Sequence, residues 1–309
     1  MIIGANLPDV DAVVYLVGDN ADGLALRRGW THGILAMVVL PFVLTAIMLG
    51  IDRWRSSRRT RLSRADERIP VDAAGILLAS AISIWSHPFF DWLNTYGVRL
   101  LMPFSSRWFY GDAVFIIDPW IWCALALGVA MSFARARRVP IGGRTSVVMR
   151  RAERPARVAL MAVAAYIVVM VASSRVARVI VERQAVAAGA PTSTRVMVSP
   201  EPLTPLVRSV VRDLGTQYET GTFAWTPIPR YTPSSSRLPS LRGDSILVLG
   251  PDQADTRTRD KFLLWARFPF RDNASIDNPL IVRLDDARYG APLRPSFASV
   301  GIRVGSARP

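Results

Sequence analysis

The chain has 309 residues, half of them hydrophobic, and a mean hydropathy of +0.24. Soluble domains of this length rarely combine these values, so the composition indicates a membrane protein. The net charge of +14 comes almost entirely from arginines that lie beside apolar runs. This arrangement follows the positive-inside pattern and argues against nucleic-acid binding. The single cysteine, Cys123, excludes an intrachain disulfide framework and a cysteine-based zinc site.

Four apolar runs in the first 175 residues predict membrane-spanning helices. The first is free of charge for about 19 residues, roughly 28 Å as a helix, which matches the hydrocarbon thickness of a bilayer. The second carries no ionisable residue apart from His87, and the third begins with tryptophans suited to a membrane interface. Because the second and third runs are short, buried core helices of a soluble protein are the alternative. The predicted spans are residues 33–51, 73–90, 119–134 and 158–174.

Two arginine-rich loops predict the orientation of these spans. Residues 52–68 hold seven arginines and three acids, and residues 135–157 hold eight arginines and one acid. Short basic loops resist translocation, so both are expected on the cytoplasmic side. The segment before residue 33 and the connection 91–118 are then extracytoplasmic. This topology brings six polar residues to one end of the spans: Asp9, Asp11, His32, His87, Asp91 and Asp118.

The chain after the fourth run changes character and predicts a mostly β region. Proline- and serine-rich stretches, such as residues 227–240, separate short β-rich segments as turns or loops. Residues 259–268 are compatible with a short helix. The predicted fold class is an α+β membrane protein. A transmembrane helical domain at 1–175 holds the candidate metal site, and a β-rich, extracytoplasmic domain follows at 190–309. The predicted β segments are residues 193–199, 216–225, 245–250, 279–284 and 298–304.

His87 and Asp91 are the first candidate site residues. At positions i and i+4 of a helix their Cβ atoms lie about 5–6 Å apart, so both side chains can reach one cation, or the carboxylate can accept a hydrogen bond from the imidazole. Pro88 argues against an unbroken helix through this point. A lone pair of this kind is commonly a surface contact, but ionisable groups at the end of an apolar span are costly and usually functional.

Asp9, Asp11 and His32 are the other candidates. Carboxylates at i and i+2 converge if the backbone turns after Pro8, whereas in a helix they diverge by about 200° and only one points inward. Acids at a helix N-terminus are the alternative explanation. Arg27 and Arg28, which precede His32, suit either a phosphate or headgroup contact or plain anchoring at the interface. Imidazoles with carboxylates suit Zn²⁺, Mn²⁺ or Fe²⁺ better than Ca²⁺.

Three segments in this order, "GANLPDVD", "RRGWTHGIL" and "SHPFFDWLNTYGVRLLMPFSSRWF", resemble the YdjM-like family of LexA-regulated type. Its members are described as metal-dependent hydrolases of the bacterial inner membrane. The resemblance covers about residues 1–125, and "VSPEPLTPLVRSVV", "FLLWARFPF" and "DDARYGAP" resemble the C-terminal part of longer members. It implies a multi-pass location in the inner membrane and fixes no substrate. The metal ligands that it implies are Asp9, Asp11, His32, His87 and Asp91.

One feature departs from the family pattern. Members typically begin with a helix that carries a Thr-His pair ahead of the "LPD" segment, and this chain begins inside that region. Either the natural start lies further upstream, or one ligand of the family site is missing.

Two functions from different classes fit these observations. The first is a membrane-embedded, metal-dependent hydrolase at the extracytoplasmic face. It would use a divalent metal ion, with zinc expected, and Asp11 and Asp91 as catalytic carboxylates; its substrate would be a lipid, a phosphoester or an envelope component. The alternative is a non-catalytic scaffold or binding protein whose His/Asp cluster is a structural polar network. A transporter is less favoured, because four spans are few and none forms a matched pair of broken helices.

Overall fold

A computed structural model of the chain describes residues 1–58, 72–137, 146–241, 253–272, 281–289 and 296–303. The chain divides into two compact units. The first comprises Met1–Tyr110, Ile246–Arg267 and Asp272–Pro309, and the second comprises Gly111–Ser245 and Phe268–Arg271. Each unit contributes two of the long apolar helices, and all five candidate metal ligands belong to the first unit.

Short helices begin the first unit: α1 (Ile2–Asn6), a 3₁₀ helix (Leu7–Val13), α2 (Val14–Val17) and α3 (Asn20–Leu26). Pro8 is tolerated at the start of the 3₁₀ helix, because the first N–H groups of a helix have no intrahelical partner. At the other end of this segment, Arg99 caps α3 by donating from Nη2 to the carbonyls of Ala25, Leu26 and Arg27 at 2.6–3.2 Å. This cap fixes the chain just before it enters the first span.

Helices α4 (Ile34–Arg58) and α5 (Ala73–Leu93) pack against each other in the first unit. Trp85 Nε1 donates to the Met37 carbonyl at 2.8 Å, and the Thr45 and Ser80 hydroxyls lie 3.4 Å apart, so the two helices run antiparallel. Residues just before α4 and residues near the end of α5 therefore meet at the same end of the pair.

Both helices continue through an internal proline. Pro41 lies within α4, and α5 remains one helix through Pro88 to Leu93. His87 and Asp91 thus occupy one helix at i and i+4 spacing. The alternative that Pro88 breaks the helix at His87 is wrong.

Helices α6 (Pro119–Arg137) and α7 (Ser146–Ala187) form the corresponding pair of the second unit. Asp118 caps α6, because its Oδ1 accepts from the backbone N–H groups of Trp120 and Ile121 at 3.1 and 3.2 Å. Its Oδ2 accepts from the Tyr166 hydroxyl of α7 at 3.1 Å. Asp118 therefore has a structural role in the second unit.

Helix α7 is longer than a membrane span needs. Its 42 residues extend about 63 Å, and its C-terminal part packs on a sheet. Buried Ala177, Val181 and Ala185 contact Val198 and Phe223 of that sheet. One helix thus serves as a span and as the support of the β structure.

The sheet is an antiparallel meander in the order β1 (Arg195–Pro200), β2 (Val207–Asp213), β3 (Gln217–Ala224) and β4 (Arg230–Pro239). Strand β4 lies within residues 227–240, which were predicted to be a turn or loop between strands. That prediction is wrong. An edge strand has one unpaired side, where prolines cost no ladder hydrogen bond. Most β4 side chains are also exposed, which removes the apolar alternation by which strands are recognised.

The remaining elements are α8 (Gln253–Trp265), β5 (Pro269–Asp272), β6 (Ile281–Asp286) and β7 (Val300–Arg303). Strands β6 and β7 pair antiparallel. Lys261 of α8 bridges to Asp22 of α3 at 2.6 Å, which ties this C-terminal part of the first unit to the N-terminal helices. The predicted strand at 245–250 lies outside the described residues.

The predicted fold class is confirmed. Among the described residues, four helices are long and apolar enough to cross a membrane, and mostly antiparallel β structure follows them. Large apolar side chains such as Val38, Phe42, Leu78 and Ile82 are exposed on the spans, as is usual for lipid-facing positions. The domain division at 1–175 and 190–309 stays a prediction.

Candidate metal centre

The elements of the first unit bring five polar side chains to one end of the α4–α5 pair. His32 lies two residues before α4, and His87 and Asp91 lie in the last two turns of α5. Asp9 and Asp11 lie on the 3₁₀ helix, whose three residues per turn place i and i+2 only about 120° apart. Both carboxylates can therefore face the same cluster from adjacent sides.

Four atoms form a closed ring at the centre of this cluster. Nε2 of His32 lies 3.3 Å from Oδ2 of Asp91 and 3.8 Å from Oδ1 of Asp9. Nε2 of His87 lies 3.5 Å from each of the same two oxygens. These distances exceed the 2.7–3.2 Å of ordinary hydrogen bonds. Each Nε2 atom thus lies beside both carboxylate oxygens without an ordinary hydrogen bond to either.

In each imidazole, the hydrogen-bond partner of Nδ1 determines which ring nitrogen faces the centre of the cluster. His87 Nδ1 lies 2.6 Å from the Ala5 carbonyl oxygen, which can only accept, so Nδ1 carries the proton. His32 Nδ1 lies 2.9 Å from Thr31 Oγ1, whose own hydroxyl donates to Asp11 Oδ2 at 2.9 Å. In the resulting tautomers, assigned from these partners, both Nε2 atoms direct a lone pair into the ring.

A close approach of two helices makes the His87 contact possible. A Cβ atom on Gly4 of α1 would lie 2.1 Å from the Ser83 hydroxyl oxygen of α5. Only glycine lets α1 lie this near to α5, and the carbonyl of the next residue, Ala5, then reaches His87. The glycine therefore contributes to the orientation of a site histidine.

The ring has the donor types and spacing that suit a small divalent cation. Tetrahedral ligands at 2.0–2.2 Å from zinc lie about 3.3–3.6 Å from one another, close to the four measured separations. Asp9, His32 and His87 each offer a ligand atom, and these atoms lie within 4.8 Å of one another. His32 Nε2 and Asp91 Oδ2 are buried atoms without a hydrogen-bond partner in the described part of the chain. Buried polar atoms are normally satisfied, so these two atoms fit the inner positions of a metal site.

Asp11 lies outside the ring, on the Nδ1 side of His32 at 3.4 Å. Its Oδ2 accepts from the Arg28 backbone N–H at 2.8 Å and from the Thr31 hydroxyl. In metal sites a carboxylate commonly lies behind a ligand histidine, where it fixes the tautomer and the ring orientation.

Two arginines contact the carboxylates of the cluster, Arg28 at the outer oxygen of Asp91 and Arg27 at the ring oxygen of Asp9. Arg28 Nη2 lies 2.9 Å from Asp91 Oδ1, and its guanidinium stacks over the Tyr96 ring at 4.4 Å. Arg27 Nη2 lies 2.7 Å from Asp9 Oδ1. Both side chains therefore contact carboxylates of the cluster. These ion pairs account for the positions of the two arginines without a phosphate ligand or anchoring at the membrane interface. Arg28 has φ +53°, a left-handed backbone that turns its side chain toward α5.

These charges shift the titration of the groups outside the spans. The His87 imidazole and the Arg27 guanidinium hold the pKa of Asp9 well below its usual range. Burial opposes ionisation of Asp11, but contacts with His32, Thr31 and the Arg28 N–H outweigh it and lower the pKa of Asp11. Burial also disfavours the charged His32 ring, yet the neighbouring carboxylates of Asp11 and Asp91 raise its pKa. Both carboxylates outside the spans are thus anionic at neutral pH, as metal ligands must be.

Access to the cluster is uneven. The His32 side chain is fully buried, and the Asp91 side chain is 9% exposed. The Asp9 side chain is 39% exposed. The cluster is therefore most exposed on the side of the 3₁₀ helix.

Apolar spans with a cluster of histidines and carboxylates at one end define a multi-pass membrane protein with a candidate metal centre. The family described as "YdjM inner membrane protein" matches residues 1–177, more than half of the chain. The chain belongs to this family, which confirms the resemblance, and it is a multi-pass protein of the inner membrane.

A relative from Bacillus subtilis (strain 168), "Uncharacterized protein YfhP", is 25% identical over 133 residues. The matched stretch covers 43% of this chain and 36% of that relative, so the chain spans little more than a third of the relative's length. No solved structure matches the chain.

Proposed function

We propose that this chain is a membrane-embedded, metal-dependent hydrolase that acts at the extracytoplasmic face. The observation that carries the proposal is the ring of His32 Nε2, His87 Nε2, Asp9 Oδ1 and Asp91 Oδ2, with separations of 3.3–3.8 Å. Two imidazoles and two carboxylates favour zinc among the divalent ions. When bound, such an ion would supply Lewis acidity and lower the pKa of a coordinated water.

The protein residues would have distinct roles in this centre. His32, His87 and Asp9 would hold the ion, while Asp91 would serve as the fourth ligand or as the general base, because its Oδ2 has no hydrogen-bond partner among the described residues. We assign Asp11 a positioning role through Thr31 and His32 in place of direct ligation. Arg28 would hold Asp91 Oδ1 away from the ring.

The proposed face follows from the arginine distribution. The basic segments 52–68 and 135–157 favour a cytoplasmic location, and His32, His87 and Asp91 lie at the opposite end of α4 and α5. A site at the end of two spans, open on one side, suits a substrate drawn from the membrane surface. A lipid, another phosphoester or an envelope component would fit that position.

The alternative function is a non-catalytic scaffold whose cluster is a structural polar network. Its support is that Arg27 and Arg28 already pair with Asp9 and Asp91 at 2.7 and 2.9 Å. A purely hydrogen-bonded network would also bring the imidazoles within about 2.7–3.2 Å of the carboxylates. Their longer separations favour the metal centre.

Metal analysis of the purified full-length chain tests the proposal. The wild-type protein, dialysed against zinc and then washed, should retain about one equivalent of zinc per chain, as one four-ligand site requires. Asp91→Asn and His87→Ala should retain far less. The matched control is Asp72→Asn, which changes the same charge at the other end of α5 and preserves its N-cap. Equal zinc in all four proteins would refute the metal centre.

Turnover is a separate question from metal binding. Zinc-loaded protein should hydrolyse at least one substrate of a panel of phosphoesters and phospholipids, and Asp91→Asn should abolish that activity. Zinc retention without any hydrolysis would support a metal-stabilised scaffold and contradict the hydrolase.

A further inference from the structure

A groove of about 390 Å³ lies between α6 and α7 in the second unit. Its volume is within the range of ligand pockets, about 300–1,000 Å³. Apolar and small side chains line most of it, including Leu127, Met131, Val158 and Ala162. Along α6 the lining runs from Ala124 to Arg135, about 16 Å of helix.

Two contacts hold α6 and α7 together beside the groove. A Cβ on Gly128 would lie 2.4 Å from the Ala159 Cβ, so only glycine allows this close approach. The Ala156 N–H of α7 donates to the Ser132 hydroxyl of α6 at 3.1 Å. These contacts pair residue 128 with 159 and residue 132 with 156, so α6 and α7 run antiparallel. The groove is therefore a fixed feature of their packing.

Two arginines lie at one end of the groove, Arg135 of α6 and Arg154 of α7. Both are exposed, and neither has an ion-pair or hydrogen-bond partner within the described ranges. The nearby acid Glu153 is already engaged, because it pairs with Arg157 at 2.7 Å. The groove thus combines an apolar body with two uncompensated positive charges at its end.

We infer that this groove binds an anionic phospholipid, with its phosphate on Arg135 and Arg154 and an acyl chain along the apolar lining. Arginine matches phosphate oxygens with paired donors. Basic pockets between spans are common headgroup sites. Two uncompensated arginines favour a headgroup with net negative charge over a zwitterionic one. The site is separate from the candidate metal centre and does not depend on the proposed function.

The test measures lipid binding to the full-length chain by native mass spectrometry in detergent. The probes are phosphatidylglycerol and phosphatidylcholine with identical acyl chains. Wild-type protein should bind the anionic lipid at least fivefold more tightly than the zwitterionic one. Arg135→Gln with Arg154→Gln should remove that preference, and Arg137→Gln with Arg175→Gln, an equal charge change on the same helices outside the groove lining, should keep it.

A second pair of variants tests the apolar part with both arginines intact. Ala162→Phe fills the groove and should weaken phosphatidylglycerol binding about fivefold. Ala164→Phe, an exposed position about 200° around α7, should leave binding unchanged. Millimolar glycerol phosphate should not displace the lipid; displacement would identify a free-phosphate site and overturn the proposal. Equal binding by the two double arginine variants, or no loss with Ala162→Phe, would also overturn it.

Discussion

Thr31 links the carboxylate of Asp11 to the ring of His32, and its removal gives a sharp prediction. Thr31→Val preserves the shape of the side chain but deletes the hydroxyl that donates to Asp11 Oδ2 and lies 2.9 Å from His32 Nδ1. The imidazole then has only the Asp11 carboxylate at 3.4 Å to fix its tautomer. Loss of the group that hydrogen-bonds the far nitrogen of a ligand histidine typically costs about 10–100-fold in metal affinity, or about 1.4–2.8 kcal/mol.

A competition titration with a zinc chelator measures this change in affinity. The matched control is Thr45→Val, which removes a buried hydroxyl that bonds to the Pro41 carbonyl within α4. We expect the control to bind zinc as tightly as the wild type and Thr31→Val to bind at least tenfold more weakly. If both variants bind like the wild type, the hydroxyl relay does not support a metal ligand and the tautomer argument fails.

Three further predictions follow from the contacts around the cluster. Arg28→Gln should destabilise the metal-free protein by about 3–5 kcal/mol, because it leaves the Asp91 carboxylate buried without its partner; an unchanged thermal midpoint would contradict this. Gly4→Ala should weaken zinc binding about tenfold by forcing α1 away from α5, whereas Gly50→Ala, with open space around it, should not. The pKa of His32 is raised in the fold. Its charged form therefore stabilises the metal-free protein below about pH 6.5, and this stabilisation is lost as the pH rises through the raised pKa. Zinc affinity, measured by the same titration, should increase over that interval, since zinc competes with the proton; a flat profile would exclude His32 as a ligand.

The spans were predictable because the membrane imposes a length and a composition. The runs 73–90, 119–134 and 158–174 fall within α5, α6 and α7, and the run 33–51 begins one residue before α4. The full extent of α7 was not predictable in this way. An arginine-bearing start precedes its apolar run, and an amphipathic end covers the sheet. A search for uninterrupted apolar runs without charged residues detects only the part of α7 that crosses the bilayer.

The β region was partly predictable from alternation and β-branched residues. The segments 216–225 and 298–304 contain β3 and β7, the segments 193–199 and 279–284 contain most of β1 and β6, and the predicted helix at 259–268 overlaps α8. Strand β2 was not predicted. Its arginines Arg208 and Arg212 are fully buried, paired with α7 and neighbouring strands, and tertiary pairing of this kind leaves no simple apolar pattern.

The candidate residues of the site came from residue type and depth, and the supporting residues did not. Asp9, His32, His87 and Asp91 were selected because polar groups at span ends are costly. The Ala5 carbonyl and the left-handed turn at Arg28 depend on backbone geometry, which residue types alone do not encode. The Thr-His pair of residues 31 and 32 was the available signal for the hydroxyl relay.

X-ray absorption at the zinc edge of the zinc-loaded, full-length protein tests the central claim most directly. The account predicts a first shell of nitrogen and oxygen at about 2.0–2.2 Å with scattering from two imidazoles, reduced to one in His87→Ala. A zinc shell without imidazole scattering, or a protein that retains no zinc, would contradict a metal centre at His32, His87, Asp9 and Asp91.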